Sequence, residues 1–187
     1  VTVTATFNAI GYSVSCATGL TGGSITANPS TDVHVNDNVT VTATPSANYA
    51  LESVTVTNLT TSGTFAATVS GNTATFVMPA SNVSVTATFA PVYTITYADD
   101  GHGSVGSGAT TSAVAGTTIT VPYTTNTGYV FDHITVTGGD VTPSGNTFVM
   151  PAYNVTVTLY FEEGGTGING DVVTLDDRED HSWSYYS

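Results

Sequence analysis

Four histidines, one cysteine, one arginine and fourteen carboxylates, beside abundant serine, threonine and tyrosine hydroxyls, are the groups in this 187-residue chain able to move protons, hold metal or attack a substrate. His34, His102, His133 and His181 stand far apart with no His-x-x-x-His spacing, and Cys16 has no second thiol, so no metal site is expected. Asp132 and His133 are adjacent on a segment patterned as a strand, where neighbours point to opposite faces. That geometry predicts that they cannot form the Asp-to-His arm of a hydrolytic triad. Asp176-Asp177-Arg178-Glu179-Asp180 is rich enough in carboxylates for calcium, but it lacks the Asp-x-Asp-x-Asp-Gly spacing and the distal Glu, and it reads as a solvated charged turn. Gly22-Gly23 and Gly101-His102-Gly103 read as turns, because no helix start follows them to present aligned amides to a phosphate. The expected catalytic, cofactor and metal residues are none, and the chain reads as no enzyme.

Absent residue types exclude further chemistry. Internal isopeptide, ester or thioester cross-links each need a lysine or a glutamine, and the chain has neither. Arg178 is the only strongly basic side chain against a net charge of −13, which excludes a phosphate-binding surface, whether nucleic acid or an anionic membrane. No run of eighteen apolar residues exists to span a bilayer. Cys16 shares strand parity with Tyr12 and Val14 and reads as a buried, inert thiol. Tyr123, Tyr153 and Tyr160 are expected at the surface, where aromatic faces can stack on sugar rings, so a glycan stays open as an alternative ligand.

The elements that carry these residues follow from composition. Threonine and valine together make 63 of the 187 residues and leucine only five, a bias toward the pleated strand. Self-similarity organises those strands. Tyr12-Ser13-Val14-Ser15 recurs as Tyr93-Thr94-Ile95-Thr96, Gly23-Ser24-Ile25 as Gly103-Ser104-Val105, and Val54-Thr55-Val56-Thr57 as Ile134-Thr135-Val136-Thr137, at offsets of 80 or 81. Thr75-Phe76-Val77-Met78-Pro79-Ala80 recurs as Thr147-Phe148-Val149-Met150-Pro151-Ala152 at 72, which places an eight-residue length change in an exposed connection from Asn58 to Ser70. Each unit closes on a strictly alternating strand, Val83 to Phe89 and Val155 to Phe161, and Val1 to Phe7 repeats that strand a third time. The sequence predicts about six short strands per unit and no helix. The core faces are Val39, Val41, Val54, Val56, Phe76, Val83, Val85 and Phe89, with Ile119, Val121, Ile134, Val136, Phe148, Val155, Val157 and Phe161 as equivalents.

These motifs resemble the divergent internalin B-repeat, a small β domain found in tandem on bacterial surface and secreted proteins. The order is Tyr-x-Ile/Val, Gly-Ser, Val-Thr-Val-Thr, Tyr, Val-Thr-Val, Thr-Phe-Val-Met-Pro-Ala and Asn-Val, over about residues 1 to 162. Ala47-Asn48-Tyr49 stands where a Gly-Tyr pair is usual. The resemblance implies an extracellular stalk or spacer and a β-grasp-like fold.

The expected fold class is all-β: two tandem small antiparallel domains, sandwich or β-grasp-like without a long helix. Residues 8–90 and 91–161 form the two repeats. Residues 1–7 are the closing strand of a preceding repeat or a donor strand, and residues 162–187, which hold seven of the fourteen acids, are an acidic linker or docking tail. The chain opens within a strand pattern, as a processed or excised piece would. The expected role is a non-enzymatic stalk, spacer or filament subunit, secreted or displayed on a bacterial surface. Its partners are copies of itself head to tail or neighbouring repeats. Two closing positions need two strands and the chain has three, so Val1, Val3, Ala5 and Phe7 are the expected assembly strand, donated to an open sheet edge. The alternatives are an adhesive module for host glycan or protein, and an accessory domain of an exported enzyme.

Overall fold

The computed structural model of the chain describes residues 1–4 and 9–164. Ala5, Phe7, His181 and the acidic run from Asp176 lie outside the described residues. Among those described there are fifteen strands and no helix, hence no helix able to cross a membrane. In chain order they are β1 (Val14–Cys16), β2 (Gly23–Asn28), β3 (Asn38–Pro45), β4 (Tyr49–Asn58), β5 (Thr64–Ala66), β6 (Thr68–Ser70), β7 (Thr73–Val77) and β8 (Val83–Asp99). The series continues with β9 (Gly103–Val105), β10 (Ser112–Val114), β11 (Thr118–Thr120), β12 (Tyr123–Thr125), β13 (Tyr129–Thr137), β14 (Thr147–Val149) and β15 (Val155–Glu163).

Alternation of Val with Thr gives every long strand one apolar face, and two such faces close on each other. In the first unit the sheet β1-β8-β4-β5 covers the sheet β2-β3-β7-β6. In the second, β10-β8-β15-β13 covers the pairs β9-β12 and β11-β14. The fold is all-β in tandem units, as the composition and repeats imply. Each unit has eight strands rather than six when β8 is counted in both. Three features account for the difference, one of them β10, which adds a strand to the second unit along Val92 to Thr94 of β8. Residues 58–70 are not a plain loop: they add β5 to β4 and β6 to β7, with Ala67 buried between. In the second unit Pro122, which has no N–H to give to a ladder, divides into β11 and β12 the length that β3 spans unbroken.

The strands are not all antiparallel. β1 lies parallel to β8, with Val14 opposite Val83 and Cys16 opposite Val85, and the second half of β8 lies parallel to β15, with Ile95 opposite Val155 and Asp99 opposite Leu159. In each unit the first and last strands are therefore neighbours running the same way.

Two cores result, one from Val14 to Phe89 and one from Ile95 to Phe161, with no residue in common. All sixteen residues expected in the core faces are buried except Val136, which is half-buried on the edge strand β13; of the threonines expected outward, Thr40, Thr42 and Thr120 are exposed as the register requires and Thr135, beside Val136, is half-buried. Met78 and Met150, each 1 % exposed, fill the two cores from the Met-Pro-Ala corners. Val1 to Thr4 form no strand, and Val1 and Val3 are fully exposed. A strand needs a neighbour to take its hydrogen bonds, and the described part of the chain offers them none.

Candidate functional site

The feature that both units depend on is β8. Val83 to Phe89 pair with β4 on one side and begin alongside β1 on the other; from Val92 to Thr94 the same strand pairs with β10, and from Ile95 to Asp99 with β15. The chain passes from one core to the next inside a single strand, with Pro91 at the passage. An open hollow of about 360 Å³ lies there, lined from both units by Asn48, Tyr49, Pro91, Val92, Thr94 and Asn154.

The parallel pairs are reinforced by matched side chains. Asn82, just before the closing strand, accepts the Ser13 amide on Oδ1 at 2.8 Å, and Asn154 accepts the Thr94 amide at 2.9 Å. The Ser15 and Thr96 hydroxyls donate to the Val83 and Val155 carbonyls, both at 3.2 Å. Backbone bonds from Val83 to Ser13 (3.0 Å) and from Ala17 to Val85 (2.8 Å) extend the first pair. At its far end the second pair is extended by Asp100, whose Oδ2 accepts the Phe161 amide at 2.8 Å. That bond holds the Asp100 carboxyl below its ordinary range, against a smaller opposing effect of desolvation. Reading strand patterns alone passes over Asn82, Asn154 and Asp100, because all three act from just outside the alternating segments. The signal available was the recurrence of Asn at the same step after both Met-Pro-Ala motifs.

The exit of the second unit repeats its entry. The Val92 amide donates to the Asn48 carbonyl and the Gly164 amide to the Gly128 carbonyl, both at 2.8 Å. These positions are equivalent in the two units, so β15 leaves its core as β8 leaves the first. The family described as Divergent InlB B-repeat domain matches the chain twice, over residues 12–92 and 93–165. The chain belongs to this family. No curated protein and no solved structure matches it. The divergent InlB B-repeat is a repeat domain of bacterial surface proteins, which makes each unit a surface-type structural module.

Within these B-repeats the chemistry-bearing residues stay dispersed. His34 sits 3.6 Å from Asp37 through Nδ1, and His102 stacks on Tyr129 with ring centroids 4.1 Å apart. Asp132 and His133 do meet, contrary to the alternation argument: Oδ2 and Nδ1 are 2.8 Å apart. The cause is a bulge between Phe131 and His133, which opposes an extra residue to one partner and turns the two side chains toward each other. The pair is exposed, and His133 packs its ring on Tyr160. No group of three or more His, Cys, Asp or Glu gathers as metal ligands among the described residues. Cys16 is half-buried against the first core, and burial pushes its thiol pKa up, away from the reactive thiolate. Tyr123 and Tyr153 are exposed as expected; Tyr160 is half-buried under His133, and Tyr123 is stacked on Phe131 at 4.2 Å.

Proposed function

We propose that the chain is a stretch of a non-enzymatic extracellular stalk or spacer, in which successive B-repeats follow one another without linkers. The observation that carries this reading is that β8 is the last strand of one unit and the first of the next. On the same reading, Val1 to Phe7 are the closing strand of a preceding repeat, since they stand before Tyr12 much as Val83 to Phe89 stand before Tyr93. Small-angle X-ray scattering of chains carrying two, three and four such units tests it. The maximum dimension is expected to rise by a constant increment per unit, and units that fold back on one another would sink it.

A second reading is favoured by an open edge. β4 receives β5 opposite Thr55 to Thr57, whereas the equivalent stretch of β13, Thr135 to Thr137, has no strand on that side among the described residues. Val1 to Phe7 of another copy would fit there as a donated strand and build a filament head to tail. Deleting residues 1–7 and measuring mass by analytical ultracentrifugation separates the two: loss of oligomers supports donation, and an unchanged monomer removes it.

A further inference from the structure

Each unit has its first and last strands side by side and parallel, and this fixes how it meets a pull on the chain. Tension reaches β1 from its N-terminal end and the first half of β8 from its C-terminal end. Since the two run the same way, the load draws them past each other along their length. Every bond between them is then loaded together, whereas an antiparallel hairpin pulled at its open end gives up its bonds one at a time. The second unit has the same arrangement: β8 is held from the first unit at its start, and β15 is drawn toward residue 164. The side-chain bonds from Ser13 to Asn82 and from Thr94 to Asn154 lie across these two sheared pairs.

We propose that the parallel first-to-last pairs are mechanical clamps, so that the repeats bear tensile load along the chain and yield in a set order. This deepens the stalk reading and rests on it for its biological use. The order follows from the two registers. Val14 to Cys16 face Val83 to Val85 over three residues, while Ile95 to Asp99 face Val155 to Leu159 over five. The second clamp also has the Thr96 hydroxyl 2.8 Å from that of Thr156, and Asp100 holding the Phe161 amide beyond the end of the pair. The first unit is the weaker link and the second the stronger.

Single-molecule force spectroscopy of the full chain tests this. Pulled through its two ends, the chain is expected to yield in two steps, the first releasing up to roughly 290 Å from residues 12–92 and the second up to roughly 260 Å from residues 93–165, at no more than about 3.6 Å per residue. The second step is expected at the higher force. Pulled through cysteines introduced by Thr127→Cys and Glu163→Cys, with Cys16→Ala, the second unit has its antiparallel β13–β15 pair drawn apart from its open end and is expected to yield at several-fold lower force. N154A is expected to weaken the second step alone, and N82A the first. Equal forces in the two pulling directions, or the second unit yielding first, would overturn the proposal. If N154A prevents folding, the comparison of pulling directions still decides, because it leaves the clamp intact. Strong, direction-dependent clamps in units that fold back on each other in scattering would keep the clamp and remove the stalk. Weak clamps in a linear array would do the reverse.

Discussion

Asn48 and Gly128 occupy one position in the two repeats, and both have left-handed backbone, with φ of 62° and 87°. The turn before Tyr49 and Tyr129 demands that conformation, and asparagine is the side chain that best replaces glycine in it. N48G is therefore expected to leave stability within about 0.5 kcal/mol, and N48V to cost about 1–2 kcal/mol, as read from urea midpoints. Asp100 behaves differently because its contribution depends on charge. Its folded pKa is lowered, chiefly by the Phe161 amide, so its stabilising effect is present above the unfolded carboxylate range and is lost as pH falls through the folded value. Thermal unfolding from pH 7 to pH 2 is expected to show wild type and D100N converging below about pH 4, the ordinary carboxylate range. A gap that stayed constant over that range would show that the charge plays no part.

Among the elements, β2 and β9 owe their place to a missing side chain. A Cβ on Gly23 would stand 2.6 Å from the Phe89 ring, and one on Gly103 would meet the Phe161 ring at 2.4 Å. The closing strand of each unit thus lays its last core phenylalanine directly over the backbone of the second strand. G103A is expected to cost about 1–3 kcal/mol by forcing that ring off its site, and the loss of near-UV ellipticity from the Tyr123, Phe131 and Phe161 cluster reports the shift. The insertion that distinguishes the first unit from the second works by addition. β5 and β6 extend both sheets of the first unit, and Phe65 meets Phe76 edge-on at 6.1 Å, without altering the strands that the second unit shares.

At the scale of the whole molecule, two cores without a common residue are joined through one strand. M150A empties part of the second core, a change expected to cost about 2–5 kcal/mol. Hydrogen exchange is the measurement that checks it. Amides of β14 and β15 are expected to lose protection, while those of β3 and β7 keep theirs. Equal loss in both units would mean that β8 couples them into one cooperative body. The outer faces of the large sheets present threonine and serine hydroxyls that bond to each other, as Ser53 does to Thr88 at 2.7 Å and Thr96 to Thr156 at 2.8 Å, which suits a module exposed to water on its flanks.

Local chemistry was enough to determine strands rather than helices, the repeat and its offsets, the core faces and the family, since alternation has a period of two and a one-residue error would have exposed every valine. The absence of lysine and glutamine likewise excludes whole classes of cross-link from the sequence alone. Which strands become neighbours was decided only by the fold. Nothing in Tyr12 to Cys16 or in Val83 to Phe89 encodes that they run parallel, because strand direction depends on how the chain returns between them. The bulge that brings Asp132 to His133 is a property of the β13–β15 register and not of either residue. Val1 to Thr4 mark the limit most plainly: they continue a pattern with one apolar face yet form no strand, since a strand exists only where another supplies its hydrogen bonds, and that is a tertiary fact.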